Sequence, residues 1–357
     1  MAVELDNLHY DYRAIDGYNK PFNFIIAPRE LGKTAMAWLK KIYLKWKVNK
    51  KPWIYLVRQV VEITEALINS IADTTINKFT DDNVILKYTK GNFKDGIVDV
   101  YIGGELFFRI VALSIQLRRI KLAVLKGCAG VLIDEYIIDP KTQEKYIQNE
   151  AFKIKEAYTT WRREADGILK VYILGNPYSL FNPLFMEWKV DTNKLEIGKF
   201  YVGDIFVIHR ATLSQALREK LLKANPLYKF DEDYIQYALE GQAINDKNIQ
   251  LGSQPEGYKL RFVIRIQNKI IGIFRNDTSN REDNLYFCKF VDEVSAKRVV
   301  YCFEFEDLVN GSQVMSLDDR FKFNNFKDAL RKRLVIFEDI NVYYIVEEVY
   351  KNIWVQP

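Results

Sequence analysis

The chain has 357 residues, of which 48% are hydrophobic and 28% charged, and this balance is typical of a folded protein of about two domains rather than a disordered or fibrous chain. Three cysteines and two histidines argue against a disulfide framework, structural zinc and a His-based catalytic triad, and favour a reducing compartment. The net charge is +5, with +6 in residues 1–200 and −1 in the rest, which permits contact with a polyanion without requiring it.

Short apolar runs alternate with helical patterns through the first half of the chain. Buried strands are predicted at 22–27, 52–57, 129–137 and 168–177, and helices at 34–47, 61–72 and 144–164. Residues 96–113 predict a hairpin that turns at Gly103-Gly104. Strands that alternate with helices indicate an α/β domain with a parallel sheet covered on both faces.

The second half of the chain has a different pattern. Residues 205–252 are polar with helical spacing and predict a helical linker subdomain. From residue 253 to 357, alternating apolar and polar runs predict antiparallel strands, followed by two helices. The predicted division is therefore an α/β domain (1–204), the linker (205–252) and a smaller α+β domain (253–357). No run of 18 uncharged apolar residues occurs, so no membrane-spanning helix is expected.

The segment from residue 27 to 34 predicts a phosphate-binding P-loop. It reads Ala27-Pro28-Arg29-Glu30-Leu31-Gly32-Lys33-Thr34, and it lies between a predicted strand and a predicted helix. Backbone N–H groups at the start of such a helix surround a phosphate chain. Lys33 would neutralise the β- and γ-phosphate oxygens of ATP, and the Thr34 hydroxyl would coordinate Mg²⁺. Ala27 stands where this motif usually has its first glycine.

Two carboxylates follow the predicted strand at 129–137. In parallel α/β sheets, ligands bind at the carboxyl ends of the strands, which is where Asp134 and Glu135 would lie. Asp134 would hold Mg²⁺ through water, and Glu135 would orient and deprotonate the attacking water. The Asp-Glu pair favours hydrolysis over phosphoryl transfer to a small molecule, although either residue could simply cap a strand end.

Several polar residues are further candidates for the reaction. Arg162 or Arg163, at the end of the predicted helix, could act on the transition state in a neighbouring subunit, or could simply stabilise the helix terminus. Arg29 inside the loop is another candidate cation. Asn176 ends a predicted strand and could sense the γ-phosphate or the water, or could be an ordinary turn residue before proline.

Two basic clusters could contact a nucleic-acid backbone. One contains lysines between residues 40 and 51, where a solvated helix face is the alternative interpretation. The other comprises Arg118, Arg119 and Lys121, with Arg118-Arg119 predicted to lie in a loop before the Asp134 strand. The second cluster is the better candidate for binding DNA.

These motifs together resemble a known family. FNFIIAPRELGKT, GVLIDEY, TTWRRE and YILGNPYSLFNP, in this order and spacing, resemble the DNA-packaging ATPase of phi29-like phages, a terminase-like branch of the ASCE P-loop motors. The motif match covers about residues 20–185. The resemblance implies that Lys33 and Thr34 are Walker A residues and that Asp134 and Glu135 are Walker B residues. It further implies that Arg162 is an arginine finger acting in trans and that Asn176 is a coupling residue.

The resemblance also implies partners and a place of action. An ATP- and Mg²⁺-dependent motor would form a homo-oligomeric ring, expected to be a pentamer, at the portal vertex of an empty prohead in the host cytoplasm. It would drive double-stranded DNA into the capsid. A structural prohead RNA is a further expected partner.

The same resemblance leads us to expect an RNase H-like C-terminal domain without nuclease activity. Such a nuclease needs several carboxylates around two metal ions, the first on the opening strand. The segment KLRFVIRIQNKIIGIFR contains neither Asp nor Glu, and the acidic Glu304, Glu306 and Asp307 come later. Lys259, Arg261 and Arg265 on the opening segment could contact nucleic acid or the capsid instead.

Two other functions are compatible with a P-loop. One is a nucleotide-binding switch or scaffold that moves nothing. The other is a small-molecule kinase, which would need an arginine-rich lid and an acceptor pocket, and no clear lid is found in the sequence. Stimulation of ATP hydrolysis by long double-stranded DNA would distinguish the motor from both.

Overall fold

The computed structural model describes residues 9–139, 144–229, 235, 238–241, 249–266, 269–276, 286–292, 294–295, 298–302, 308–309 and 311–350. The chain divides into two compact units. The large unit contains residues 1–189 and 194–245, and the small unit contains residues 190–193 and 246–357.

A nine-stranded sheet forms the centre of the large unit. Its strands are β1 Phe22–Ile26, β2 Trp53–Val57, β3 Lys87–Tyr88, β4 Ile97–Ile102, β5 Glu105–Ala112, β6 Gly130–Ile133, β7 Val171–Gly175, β8 Phe200–Val202 and β9 Phe206–Arg210. Their order in space is β3-β4-β5-β2-β6-β7-β1-β9-β8. The strands from β5 to β9 in this order run parallel, which confirms the predicted parallel α/β sheet.

Helices connect these strands. They are α1 Tyr12–Asp16, α2 Lys33–Met36, α3 Leu44–Asn49, α4 Glu65–Ser70, α5 Asn77–Phe79, α6 Leu117–Leu122, α7 Glu150–Trp161, α8 Pro183–Glu187 and α9 Gln215–Ala224. A π-helical segment, Ala37–Tyr43, joins α2 to α3, so helical backbone runs unbroken from residue 33 to residue 49. A second π-helical segment, Ile71–Ile76, joins α4 to α5. Short 3₁₀ turns lie at Arg29–Leu31, Val60–Glu62, Lys90–Asp95, Thr192–Lys194 and Pro226–Lys229.

The apolar sequence of the central strands explains their position in the sheet. Every residue of β1, β2, β6 and β7 is buried, as expected for strands covered on both faces. β4 and β5 form the predicted hairpin near one side of the sheet, and Gly103 and Gly104 both have positive φ at its turn. None of the helices within the described ranges is long and apolar enough to cross a membrane.

The boundary predicted at residue 204 differs from the structure. β9, at Phe206–Arg210, pairs with β1 in register from Phe22↔Phe206 to Ile26↔Arg210, so the start of the expected helical linker is a strand of the large sheet. The helical pattern of this segment begins only with α9. The error arose because FVIHR is a short apolar run, which periodicity alone does not assign to strand or helix.

The small unit contains a six-stranded mixed sheet. Its strands are β10 Lys259–Ile266, β11 Lys269–Arg275, β12 Tyr286–Phe290, β13 Val300–Cys302, β14 Ser312–Val314 and β15 Val335–Phe337, in the order β14-β13-β10-β11-β12-β15. β10, β11 and β12 are antiparallel, and the other pairs are parallel. The helices are α10 Leu317–Lys322, α11 Asn324–Arg331 and α12 Ile340–Val349. The expected α+β composition is confirmed, but the sheet is mixed rather than antiparallel, and three helices rather than two are present among the described residues.

Candidate functional site

The predicted P-loop connects the carboxyl end of β1 to the start of the helix that begins at Lys33. The Ala27 amide donates to the Gly175 carbonyl at 3.1 Å, which fixes the start of the loop beside the end of β7. The loop then forms the 3₁₀ turn Arg29–Leu31, and Gly32 adopts a left-handed conformation with φ +68°. The loop therefore presents backbone N–H groups at a helix amino terminus, a geometry suited to an anion.

Gly32 is required by its own neighbours as well as by any ligand. A Cβ atom at this position would lie 2.5 Å from Cδ2 of His9, and the positive φ is itself unfavourable for other residues. In a P-loop, a glycine at this position also lets the backbone approach a phosphate closely. The contact with His9 is an additional reason for the glycine that the sequence did not indicate.

Lys33 is buried beneath the loop, with 4% of its surface exposed. Its Nζ donates to Oδ1 of Asn176 at 2.5 Å and to the Ala27 carbonyl at 3.5 Å. Burial lowers the pKa of Lys33, while the nearby carboxylates of Asp134 and Glu135 act in the opposite direction. The structure thus brings together the predicted lysine, the predicted asparagine and the predicted acidic pair.

Thr34 and Asp134 form a direct contact across the site. The Thr34 hydroxyl donates to Oδ1 of Asp134 at 3.1 Å. Desolvation by the surrounding protein raises the pKa of Asp134, and the ammonium of Lys33 opposes this shift. A hydroxyl and a carboxylate oxygen are hard ligands of the kind that Mg²⁺ prefers, so these two residues fit the predicted metal site.

Glu135 is exposed and has an unusual backbone conformation. Its φ is +49°, and its amide donates to Oδ1 of Asp134 at 2.9 Å. Left-handed backbone at a non-glycine residue costs about 1–3 kcal/mol, and it is tolerated where the surroundings fix it. The next amide, that of Tyr136, donates to the Leu174 carbonyl of β7 at 2.8 Å. The glutamate side chain therefore leaves the sheet on a strained, anchored turn.

The sequence did not reveal a buried ion pair beneath this turn. Arg58, directly after β2, donates to the Tyr136 carbonyl at 2.7 Å, and its Nε lies 3.1 Å from Oε2 of Glu150. The side chain of Glu150 is fully buried at the start of α7. The position of Arg58 after a buried strand was the available signal, since it matches that of Asn176 after β7.

The amino-terminal aromatic residues also support the loop. The Tyr12 hydroxyl donates to the Lys33 carbonyl at 2.8 Å, and the Tyr10 amide donates to the Leu31 carbonyl at 3.0 Å. The Tyr10 hydroxyl is hydrogen-bonded to Nδ1 of His209, whose pKa burial lowers to about 4. Nothing in the spacing of these tyrosines related them to a loop some twenty residues later.

The middle residues of the loop face a neighbouring part of the large unit. Arg29 donates from Nη2 to the Tyr178 hydroxyl at 2.7 Å, and the Tyr228 hydroxyl donates to Oε1 of Glu30 at 3.3 Å. Arg29 and Glu30 are exposed, whereas Ala27, Pro28 and Leu31 are buried.

The structure does not bring Arg162 or Arg163 to the site of the same chain. α7 starts at Glu150, near the carboxyl ends of the strands, and its twelve residues span about 18 Å. After α7, the Gly127 amide donates to the Glu164 carbonyl, just before β6 begins. Both arginines are exposed near the amino-terminal edge of the sheet. A catalytic role for either would therefore require a second chain.

The predicted DNA-binding residues lie on a helix rather than in the predicted loop. Arg118, Arg119 and Lys121 belong to α6, which ends against α7. Lys121 is paired with Glu156 at 2.6 Å, and Arg119 lies 3.4 Å from Asp95. The prediction of a loop was wrong because the helix has only six residues, which is too short for a clear period.

The lysine run that begins at residue 40 is largely neutralised. Four of its lysines have acidic partners, in the pairs Lys41–Asp16, Lys47–Asp82, Lys50–Glu105 and Lys51–Asp166. This pairing favours the interpretation of a solvated and partly buried helix face over that of a phosphate-binding surface.

In the small unit, the opening strand carries basic rather than acidic side chains. Within the described residues, no group of three or more His, Cys, Asp or Glu side chains could hold a metal ion. Glu304, Glu306 and Asp307 lie outside the described residues.

Comparisons with known proteins cover the whole chain. A family model described as the podovirus DNA encapsidation protein (Gp16) matches residues 5–355. A chain of the bacteriophage phi29 viral genome packaging motor assembly is 20% identical, with 97% of this chain and 99% of that chain covered and a TM-score of 0.68. The Phi-28 gp11 DNA packaging motor is 14% identical, with 99% of each chain covered and a TM-score of 0.59. These two likenesses show a shared fold. No curated protein matches the chain.

Proposed function

The chain belongs to the podovirus DNA encapsidation protein family, and on that premise we propose that it is an ATP-hydrolysing motor that moves double-stranded viral DNA through the portal into a preformed prohead. The observation that supports this proposal best is the meeting of two distant segments at one sheet edge. Lys33 and Thr34 follow β1, and Asp134 and Glu135 follow β6, a hundred residues later, yet Thr34 and Asp134 are in hydrogen-bond contact.

The proposed roles in ATP binding follow from this geometry. The backbone N–H groups of the loop and the Lys33 ammonium bind the phosphate chain. Thr34 and Asp134 hold Mg²⁺, which when bound neutralises charge on the β- and γ-phosphate oxygens. Burial leaves the Lys33 ammonium poorly solvated and lowers its pKa, so an anion bound beside it would be attracted strongly.

Glu135 acts as the general base in this proposal. Its side chain is exposed beside the loop, so it can accept a proton from a water molecule that attacks the γ-phosphate. The strained backbone and the hydrogen bonds of the Glu135 and Tyr136 amides limit the movement of the backbone, which fixes the point from which the Glu135 side chain leaves it.

Asn176 is proposed as the coupling residue because its side chain holds Lys33. The 2.5 Å bond between Lys33 Nζ and Asn176 Oδ1 uses the same ammonium that a γ-phosphate requires. When a phosphate oxygen accepts from Lys33, Asn176 loses a charge-assisted hydrogen bond or shares the ammonium with the phosphate. The loop after β7 would thereby respond to the presence of the γ-phosphate.

The proposed partners are those of a packaging motor. A homo-oligomeric ring, expected to be a pentamer, would dock at the portal of the prohead in the host cytoplasm, with prohead RNA as a further partner. In that ring Arg162 would reach the phosphates bound by a neighbouring subunit, a role that requires a second chain since Arg162 is far from the site of its own chain. Arg118 and the α6 surface are proposed to contact DNA. No nuclease activity is expected, because β10 and β11 carry no acidic residue.

The test is the rate of ATP hydrolysis with and without long double-stranded DNA at low salt. We expect DNA to stimulate the wild-type protein, and we expect Glu135→Gln to lower the stimulated rate by about 10²–10⁴-fold because the general base is lost. Glu135→Gln should still bind ATP, since the loop and Lys33 are unchanged.

The control is Glu144→Gln, which makes the same chemical change at a carboxylate that follows Asp134 and Glu135 in the sequence and has no proposed role in the reaction. Normal turnover in Glu135→Gln would show that this residue is not the base. Hydrolysis that DNA does not stimulate would favour a nucleotide-dependent switch, and ATP consumption matched by a phosphorylated small acceptor would favour a kinase.

A further inference from the structure

The outer side of the P-loop is attached to a separate helical part of the large unit. We call this part the helical flank, and it comprises α9, residues 226–229, residue 235 and residues 238–241. Its buried centre is formed by Tyr228, Ala238 and Leu239. Five partly buried side chains pack against this centre, namely Tyr178, Leu213, Leu221, Leu222 and Ile235.

Two tyrosine hydroxyls connect this apolar cluster to consecutive residues of the loop. The Tyr228 hydroxyl donates to Oε1 of Glu30 at 3.3 Å, and the Tyr178 hydroxyl accepts from Nη2 of Arg29 at 2.7 Å. The rings of both tyrosines pack in the same cluster. A shift of the cluster therefore moves the turn that leads directly into Gly32 and Lys33.

A second attachment lies at the end of the flank. A Cβ atom on Gly241 would stand 3.6 Å from Cγ and Cδ of Pro28, so the two backbones are close together. Nη2 of Arg210 donates to the Gly241 carbonyl at 3.0 Å, and Arg210 lies opposite Ile26 in the sheet. The flank is thus joined both to the loop and to the strands that carry it.

We propose that Tyr228 is a positioning residue that couples nucleotide occupancy of the P-loop to the order of the helical flank, and that it acts through Glu30. The inference rests on the proposed binding of ATP by this loop. The buried ring of Tyr228 is fixed by packing, so its hydroxyl holds Glu30 in one place. A bound phosphate chain fixes the same turn from the other side. Binding and ordering then favour each other, because coupling between two sites is reciprocal.

Hydrogen exchange in the full-length protein tests this coupling. The exchange rates of the α9 amides, Gln215–Ala224, would be compared with and without Mg²⁺ and a nonhydrolysable ATP analogue. In the wild type we expect the analogue to slow exchange by about fivefold or more, the lower end of typical coupling between sites. In Tyr228→Phe, which keeps the ring and loses the hydroxyl, we expect that protection to disappear while the analogue still binds.

Variants on the loop side distinguish coupling from simple destabilisation. Glu30→Ala removes the acceptor from an exposed position and should abolish the protection as Tyr228→Phe does. Glu30→Gln keeps an acceptor oxygen and should retain it. The double variant of Tyr228→Phe and Glu30→Ala should be no worse than either single variant, since both remove the same interaction. Tyr158→Phe is the matched control, because Tyr158 packs on Phe22 elsewhere in the large unit.

The outcomes separate this inference from the proposed function. If isothermal titration shows that the wild-type protein does not bind the analogue, both the proposed function and the inference are wrong. If the analogue binds but does not protect α9, or protects it equally in Tyr228→Phe and Glu30→Ala, only the inference is overturned. Loss of protection in those two variants, with retention in Glu30→Gln and Tyr158→Phe, supports it.

Discussion

The large sheet has one side where its parallel strands end, called here the carboxyl edge, and one where they begin, the amino edge. Both edges carry charged residues of the same types, but in different environments. At the carboxyl ends of the strands, Lys33 and Asp134 lie beside each other at the P-loop, and Arg58 forms a buried pair with Glu150. At the amino edge, Lys51 and Asp166 form an exposed pair. Because all the parallel strands end at the same side of the sheet, the residues that follow them lie close together and can form a site.

The lysines of the helix after the P-loop show the same contrast along one element. The helix begins at Lys33, which is buried at the carboxyl edge, and passes through Lys41, which is also buried. Its last turns carry Lys47, which is half exposed and paired with Asp82. Residues of one type therefore have different electrostatic roles within a single helix, according to the depth at which each lies.

The largest expected effect is on ATP turnover, and it comes from Arg162 at the amino edge. It would show that a residue at this edge also takes part in the reaction. In the assembled ring, Arg162→Ala is expected to lower ATP turnover by about 10³-fold or more, the usual contribution of an arginine finger. The dilute isolated chain should be unaffected, because Arg162 is far from its own P-loop. Steady-state ATPase assays of both states provide the measurement.

Two comparison variants identify which arginine acts in trans. Arg163→Ala, at the same exposed helix end, should leave ring turnover unchanged, whereas Arg29→Ala should affect the isolated chain as well because Arg29 lies in the loop. An unchanged rate for Arg162→Ala in the ring would remove this residue as the finger, and an equal loss in the isolated chain would show that it acts within its own subunit.

The buried pair at the carboxyl edge should contribute more to the free energy of unfolding than the exposed pair at the amino edge. Arg58→Met leaves the fully buried carboxylate of Glu150 without its partner, and we expect it to lower the free energy of unfolding by about 3–5 kcal/mol. Lys51→Met breaks the exposed pair with Asp166 and should change the stability little, because solvent screens an exposed ion pair. Urea denaturation of both variants measures the difference.

A double variant checks the cause. Arg58→Met combined with Glu150→Leu removes both buried charges and should recover much of the lost stability, because the cost comes from the unpaired carboxylate. Equal costs for Arg58→Met and Lys51→Met would contradict the view that burial separates the two edges.

The sequence predicted the elements of the site that depend on strand ends. A buried strand followed by a glycine-lysine-threonine turn, and another followed by two carboxylates, were enough to place Lys33, Thr34, Asp134 and Glu135 at one edge. The contacts from Tyr12 and Tyr228 were not predictable, because they join segments whose separation in the sequence carries no period or motif. Their partners are set by tertiary packing alone.

The fold, like the site, was predictable only where the sequence has a clear local pattern. The central strands are apolar throughout, so they were found, whereas β9 was assigned to a helical linker because its five residues have no distinguishing period. Short elements such as β9 and α6 depend on the neighbours that they pair with or pack against. Those neighbours become known only once the chain is folded.

A pH dependence of stability is expected to originate in the middle of the helix after the P-loop. Burial lowers the pKa of Lys41 to about 8, although its ion pair with Asp16 acts in the opposite direction. Between about pH 8 and the ordinary lysine value of 10.5, the unfolded chain binds this proton while the folded chain does not. Stability should therefore rise with pH across that window, by about 3 kcal/mol relative to Lys41→Met, because the penalty for burying the cation is relieved. The measurement is the difference in unfolding free energy between wild type and Lys41→Met at several pH values from 7 to 10. A difference that stays constant would show that folding leaves the pKa of Lys41 unchanged, and a difference that falls as the pH rises would show that the folded protein stabilises its ammonium. In either case the contrast between buried and exposed lysines along this helix would not extend to their energetics.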